Sequence, residues 1–466
     1  MSTPAARSLV VLTAAAVGLA TASVPEPSPA QPNGGGGPPI IRDAEIEQLL
    51  RDYTQPILKA AGLASQNVRV VIINDRAFNA FVADGHRIFI NSGALMQART
   101  PNEVIGVLSH ESGHIAGGHL SRLREQLANA STASLVAMLL GIGALVAGAR
   151  SGSQSGGDIG MAAISAPQGL IQSSLFAYVR TQEEQADRAG VKFLTATGQS
   201  PKGMYDTFKR FGDEMLYQTR YINPYLQTHP MPRERVAALE ELIKSNPYWD
   251  KKDPPELQLR HDLMRAKLYG YIDRTGVSDN RYPASDQSLP ARYARAIAAT
   301  RFADSHGALA QIDALIEAQP QNPYFHELKG QALLEAAKPA EAIAPLRRAV
   351  QLAPNPTLIQ IMLGQALVES NNKAHLDEAL SVLQAALNRD PESVDGYAQL
   401  AMAYGRKGDL AHADLSSAQA AFMRGDLKAA RMLAERAKGR FPVGSPGWVK
   451  ADDISSYKPQ RNAGSN

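Results

Sequence analysis

The sequence predicts an α+β chain, mostly helical, in which a domain built around a small β-sheet is followed by an all-α repeat array. Three observations carry that expectation. Short β-branched runs between residues 68 and 91 lie among long stretches whose apolar residues have helical spacing. After residue 290 the chain becomes rich in Ala and Leu, with prolines that recur near a 34-residue period. At 466 residues it is too long for one ordinary hydrophobic core, so two folded units are expected.

The first residues have the pattern of an export signal. Arg7 supplies a positive start, Leu9 to Ala20 an apolar run, and Ala20-Thr21-Ala22 the small residues of a cleavage site, which divides the chain into a signal at 1–22 and a Pro- and Gly-rich leader at 23–42. The apolar run is shorter than the roughly 20 residues that span a bilayer, so cleavage near Ala22 is preferred over an uncleaved anchor. The chain contains no cysteine, which excludes disulfides, a thiolate nucleophile, a Cys-type zinc site and a lipid-bearing cysteine. Export without disulfides fits a periplasmic location. The net charge of +3 is nearly balanced and no Lys/Arg run is interleaved with aromatics, so no nucleic-acid partner is expected.

A helix is expected from Asp43 to Ala61, with Ile46, Leu49, Leu50, Tyr53, Ile57 and Leu58 on one face. Strands follow at Val68–Asn74, Phe78–Val82 and Arg87–Asn91, the last two joined by a turn at Asp84-Gly85. Thr100-Pro101-Asn102-Glu103 is a strong helix start, with a Thr cap, Pro at the first position and Glu three residues after the cap. That helix is expected to run from Pro101 to about Leu127. Its Gly106, Gly113, Gly117 and Gly118 each cost about 1 kcal/mol relative to Ala, which suggests close packing of neighbouring backbone. Ala133–Ala149 is apolar on all faces but only 17 residues long, and reads as a buried helix or one in peripheral contact with a membrane. Helices are expected again at Leu170–Thr195 and Lys202–Tyr217.

In the second half, Ala308, Ile312, Leu315 and Pro320 recur as Ala342, Leu346, Ala349 and Pro354, then as Ala379, Leu383, Ala386 and Pro391, and finally as Ala430, Ala434, Ala437 and Pro442. Pro354 follows Pro320 by 34 residues, as Gly364 follows Gly330. This is the period of tetratricopeptide repeats, in which helical pairs pack through small residues. Three extra residues lengthen a turn near Asn371–Lys373, and the last unit is offset by half a repeat. The expected divisions are a first domain at 43–270, a repeat array at 290–445 and a tail at 446–466.

The chemistry is concentrated in His110-Glu111-Ser112-Gly113-His114. At 3.6 residues per turn, His110 and His114 project from one helical face and can converge on a single ion, while Glu111 points about a quarter turn away, where it can serve as general base for a water. Two neutral imidazoles, one further ligand and an open position are what a hydrolytic zinc site requires, with one Zn2+ per chain. Spacing offers two places for the third ligand, a His six residues after His114 or a Glu from a later helix, and the first is not filled. His119 misses by one the position where another zinc-peptidase pattern puts a third His, which here is Leu120. Glu183 is the other, with Asp187 one turn on as a carboxylate able to orient a His ligand.

Together these motifs resemble the HtpX/BepA-type family of gluzincin metallopeptidases, and the export signal and repeats resemble its BepA-like periplasmic branch. The family motif R-x-x-E-x-E-A-D is matched from Arg180 to Asp187 except at Gln185, which stands for the second Glu. The resemblance implies a zincin-like metallopeptidase domain in which Glu183 is the zinc-ligand Glu and Asp187 its supporting Asp. It also aligns His229-Pro230 and Arg235 with a His-Pro-then-Arg motif. His229 would then sit over the metal, either stabilising the oxyanion or gating the open site, and Arg235 would brace the cleft.

Zincins bind extended peptides beside a sheet edge, which is expected here within Phe81–Asn91, at Arg87, Ile88, Phe89 and Ile90, unless that strand is an interior one. The expected activity is metalloendopeptidase cleavage of unfolded or stalled polypeptides. Resemblance alone extends it to quality control of outer-membrane proteins and docking on the β-barrel assembly machinery. A chaperone or scaffold with its zinc site held closed is the alternative.

Overall fold

The computed structural model describes residues 39–126, 167–217, 225, 229–230, 233–273, 280–302 and 305–458. The expected export signal and the apolar segment 133–149 lie outside them. Residues 40 and 41, assigned above to the leader, instead form strand β1 (Ile40–Ile41), and Pro39 accepts a hydrogen bond from Asn74. Asp43 then caps helix α1 (Ala44–Ala60) by accepting from the Ile46 amide at 2.9 Å, and the six apolar residues named above all face the core.

Strands β2 (Arg69–Ile73), β3 (Ala80–Val82) and β4 (Arg87–Asn91) complete a sheet of order β1-β2-β4-β3. β4 lies parallel to β2, with Val71 opposite Phe89, and antiparallel to β3, with Phe81 opposite Phe89. Gly85, at φ +81°, turns the β3–β4 hairpin, and Asp84 Oδ1 accepts from the amides of His86 and Arg87. The pairing corrects the expected substrate edge. Ile88, Phe89 and Ile90 are paired on both sides and Arg87 with Arg69 of β2, and β3 is the outer strand beside β4. A parallel β2–β4 pair must be adjacent, which leaves the intervening β3 only the outside position.

Helices α2 (Ser92–Gln97) and α3 (Pro101–Ala116) follow. The Thr100 hydroxyl accepts from the Glu103 amide at 3.3 Å, and Asp253 accepts from the Asn102 amide at 2.9 Å, so two of the free donors at the start of α3 are satisfied. The single helix expected over 101–127 is broken. Gly117 ends α3, Gly118 takes φ +62°, and α4 (His119–Gln126) starts afresh. The left-handed conformation is open to glycine at little cost, so a second glycine in a row permits a reversal as well as a helix.

Helix α5 (Pro167–Ala196) packs along α3, followed by α6 (Lys202–Tyr217), α7 (Arg233–Ile243) and α8 (Pro255–Ile272). A Cβ on Gly106 would stand 2.6 Å from the Met204 backbone nitrogen of α6, and one on Gly113 would stand 2.8 Å from the Ala186 carbonyl oxygen of α5. These glycines bring three helical backbones together, as their density in α3 suggested. Among the described residues no helix is long and apolar enough to cross a membrane.

The rest is helical: α9 (Leu289–Phe302), α10 (Ser305–Ala318), α11 (Pro323–Glu335), α12 (Pro339–Leu352), α13 (Thr357–Glu369), α14 (Leu376–Arg389), α15 (Val394–Lys407), α16 (Leu410–Met423), α17 (Leu427–Lys438) and α18 (Pro446–Ser456). The recurring Ala and Leu positions are all buried. Gly330 and Gly364 each face a leucine of the paired helix, Leu346 and Leu383, at distances where a Cβ would collide. The first three recurrences fall on the second helix of a pair and the fourth on α17, the first of its pair, which is the half-repeat offset. The expected tail also contains a helix, since Ser445 caps α18 and Ala451 is buried with Ala434 and Ala437.

Helix α8 serves both halves. Met264 and Leu268 join the core under the sheet, whereas Leu263 and Ala266 join that of the first repeats, with Tyr293, Ile297 and Phe325. Beside them Lys267 is buried, with its ammonium 2.8 Å from Asp43, 3.4 Å from Glu45 and 3.8 Å from Glu327. Three carboxylates thus share one cation. Burial, together with Asp43 and Glu45, pushes the Glu327 carboxyl up to about 8 despite Lys267.

Two measurements test this packing. Gly106→Ala should lower stability by about 1–3 kcal/mol through overpacking, whereas Gly405→Ala, helical with open space at its Cβ, should add about 0.5–1 kcal/mol in thermal melts. Because Glu327 titrates higher folded than unfolded, its contribution is complete below about 4.5 and lost as pH rises through about 8. Glu327→Gln should therefore flatten the fall in melting temperature over that window; an unchanged slope would contradict the assignment.

Candidate metal centre

The pair His110 and His114 lies on the inner face of α3, where α5, α6 and the segment carrying His229 close over it. Ser109 donates to the Gly190 carbonyl of α5 at 2.9 Å, which fixes the axial register of the two helices. Gly190 is itself small enough to lie against the His110 backbone. In that register Glu183 and Asp187, one helical turn apart on α5, both point at α3.

His110 is wholly buried. Its Nε2 is 3.1 Å from His114 Nε2, 3.4 Å from His229 Nδ1 and 3.5 Å from Glu183 Oε2, and its Nδ1 is 2.9 Å from Asp187 Oδ1. His114 Nε2 is 3.3 Å from Glu183 Oε1. His229 Nδ1 lies 3.0 Å from Glu183 Oε2, while its Nε2 donates to the Ala80 carbonyl of β3 at 3.1 Å and stands 3.4 Å from Glu111 Oε1. One ligand atom from each of His110, His114, Glu183 and His229 falls within 4.8 Å of the other three.

The donor set fits a cation. A carboxylate only accepts, so the Asp187 contact assigns the His110 proton to Nδ1 and leaves a lone pair on Nε2. That lone pair faces His114 Nε2 and the Glu183 carboxylate, and the His229 Nδ1 lone pair faces the same point, an arrangement that is repulsive unless positive charge lies at its centre. Both oxygens of buried Glu111 also lack a hydrogen-bond partner among the described residues, as expected for a carboxylate kept for an added water or substrate. These residues can hold a metal ion.

Arg235 on α7 organises the acids. It donates to both oxygens of Asp187, at 2.7 and 2.8 Å, and its Nη1 is 2.7 Å from Glu183 Oε2 and donates to the Pro230 carbonyl at 3.0 Å. Burial alone would raise both carboxyls; at Glu183 it is outweighed by His229, then Arg235 and His114, and at Asp187 by Arg235, then His110. Glu183 is held well below the usual carboxylate range and Asp187 at about 2. Burial would lower the His110 imidazole, yet Asp187 and Glu183 raise it to about 9, so without a metal ion the ring also holds a proton on Nε2, which a bound cation would displace to expose the lone pair. Phe208 packs edge-on against His110 and lies beneath the Arg235 guanidinium, and the Tyr225 ring covers His229.

The structure therefore brings together His110, Glu111, His114, Glu183, Asp187, His229 and Arg235. It leaves Arg87, Ile88, Phe89 and Ile90 one strand away, with β3 meeting the site through Ala80. His119 is no member of the four-atom cluster; its Nδ1 is 3.0 Å from the other nitrogen of His114. Phe208, Tyr225 and the Ala80 carbonyl had no sequence motif to mark them.

Residues 42–243 match the family described as Peptidase family M48. A beta-barrel assembly-enhancing protease of Escherichia coli K12 is 24% identical over 88% of this chain and 82% of its own. One of Yersinia pestis is 24% identical over 87% and 82%. Metalloprotease LoiP of Escherichia coli K12 is 27% identical over 44% of this chain and 75% of its own. Residues 42–243, which carry the four convergent ligand atoms, are therefore the part of this chain that matches Peptidase family M48.

Proposed function

We propose that the chain is a periplasmic zinc metalloendopeptidase that cleaves extended segments of unfolded or stalled outer-membrane β-barrel proteins, with its repeats docking substrate or assembly machinery. The observation that carries the peptidase reading is buried, unpartnered Glu111 beside four convergent ligand atoms. The barrel and assembly parts rest on the named activity of the relatives, which align across both halves of the chain.

His110, His114 and Glu183 would hold the zinc. When bound, zinc supplies Lewis acidity that polarises a peptide carbonyl and acidifies water. Glu111 accepts a proton from the attacking water and returns it to the amine as the peptide C–N bond breaks, so one water is consumed and a carboxylate and an amine are released. Asp187 keeps His110 in the tautomer that offers Nε2, and Arg235 keeps Asp187 and Glu183 ionised. The outer strand β3 offers backbone groups to an extended substrate, a geometry that favours unfolded chains.

A second reading, a chaperone or scaffold with its site closed, is favoured by His229. That residue fills the fourth ligand position and also takes the Ala80 carbonyl of the strand a substrate would pair with.

Cleavage of casein or an unfolded β-barrel protein by the purified chain tests the first reading. Glu111→Gln should reduce kcat by about 10²–10⁴-fold while zinc content stays the same. Zinc-bound wild type without cleavage would put the closed scaffold ahead. His229→Ala should raise kcat/KM for an unstructured substrate, since it frees a ligand position and an edge carbonyl; a fall would instead assign His229 to transition-state stabilisation.

A further inference from the structure

We propose that His119 is a positioning residue that fixes the imidazole of His114, and that the Gly117-Gly118 break and Gln185 serve to hold it there. The proposal rests on the metal-centre reading above and deepens it. In an unbroken helix, a residue five positions after His114 would be rotated by about 140° and would face away from it. Here α3 stops, Gly118 reverses the chain at φ +62°, and α4 begins with His119 turned back toward α3. The two rings meet edge to face at an angle of 85°, with Nδ1 3.0 Å from Nδ1, and His119 is 3% exposed.

Gly117 makes room for this. A Cβ there would stand 2.3 Å from His119 Nε2, so any side chain would displace the ring. Both glycines of the break thus serve the same contact.

The proton positions are consistent throughout. His114 presents Nε2 to the ligand cluster, so its hydrogen is on Nδ1, which donates to His119 Nδ1. The His119 hydrogen then sits on Nε2, which donates to Gln185 Oε1 at 3.3 Å. From the same helix Gln182 Nε2 donates to the His119 carbonyl at 3.4 Å, so ring and backbone are both anchored to α5. Gln185 lies two residues beyond Glu183, so the helix that supplies a ligand also supplies the far end of the relay. An amide oxygen completes it without a further negative charge beside Glu111, Glu183 and Asp187.

The test is zinc affinity of the full chain, measured by competition with a chromophoric chelator, alongside thermal melts of the metal-free proteins. His119→Ala should weaken zinc binding by about 10–100-fold, the usual effect of losing a partner of a ligating His. His119→Asn, whose side-chain oxygen can accept from His114 where Nδ1 did, should recover most of the loss. Gly117→Ala, which keeps the imidazole but displaces it, should weaken binding as His119→Ala does. Wild-type affinity in His119→Ala would overturn the proposal, as would His119→Asn binding no better than His119→Ala when both melt like the wild type. Failure of the wild type itself to bind zinc would contradict the metal centre, and this proposal with it.

Discussion

The buried guanidinium of Arg235 is the interaction on which the rest of the site depends. Two carboxylates one turn apart on α5, both 3–4% exposed, face two imidazoles on α3; burial pushes both up, and Arg235 is the first group that opposes it at Asp187 and the second, after His229, at Glu183. Breaking such a buried pair typically costs about 3–5 kcal/mol because a charge is left unpaired. Arg235 serves each acid differently: both oxygens of Asp187 receive hydrogen bonds, whereas Glu183 is gripped through Oε2. The fork geometry of an arginine makes that division possible, and a lysine in its place would lack it. Asp187 in turn sets His110, so the cation reaches the ligand cluster by two routes.

Close backbone approach supplies the frame. Gly106, Gly113 and Gly190 let α3, α5 and α6 pack at distances that leave no room for side chains between them, so ligands on different helices are placed by main-chain contact. Helix α8 links this frame to the repeats, with one face in each core and Lys267 among three acids at the junction. Arg42 and Asp390 add a second tie between the halves, with 2.9 Å between their charged groups. The two halves are thus packed against each other, with α8 and the start of α1 each in contact with the early repeats.

Much of this was legible in the sequence because helical periodicity is local. His110 and His114 share a face of any α-helix, as do Glu183 and Asp187, and the recurring Ala-Leu-Ala-Pro pattern reports burial directly. The break at Gly117-Gly118 was not legible, since consecutive glycines are compatible with a close-packed helix and with a reversal, and only the contact with His119 decides. Strand order was not legible either: the hairpin turn at Asp84-Gly85 marks β3 and β4 as neighbours but is silent on which of them β2 joins. Helix α18 did carry a signal, Ser445 followed by Pro446, though it is short and follows several turn residues. The partnership of Arg235 with both acids spans some fifty residues of sequence, and such distant pairing is visible only once α7 is folded against α5.

The most direct test of the account is the zinc content of the purified chain and of Glu183→Ala after reconstitution and removal of loose metal. The account predicts about one zinc per chain in the wild type and far less in the variant, with both still folded. A wild type that retains no zinc, or a variant that retains as much as the wild type, would contradict it.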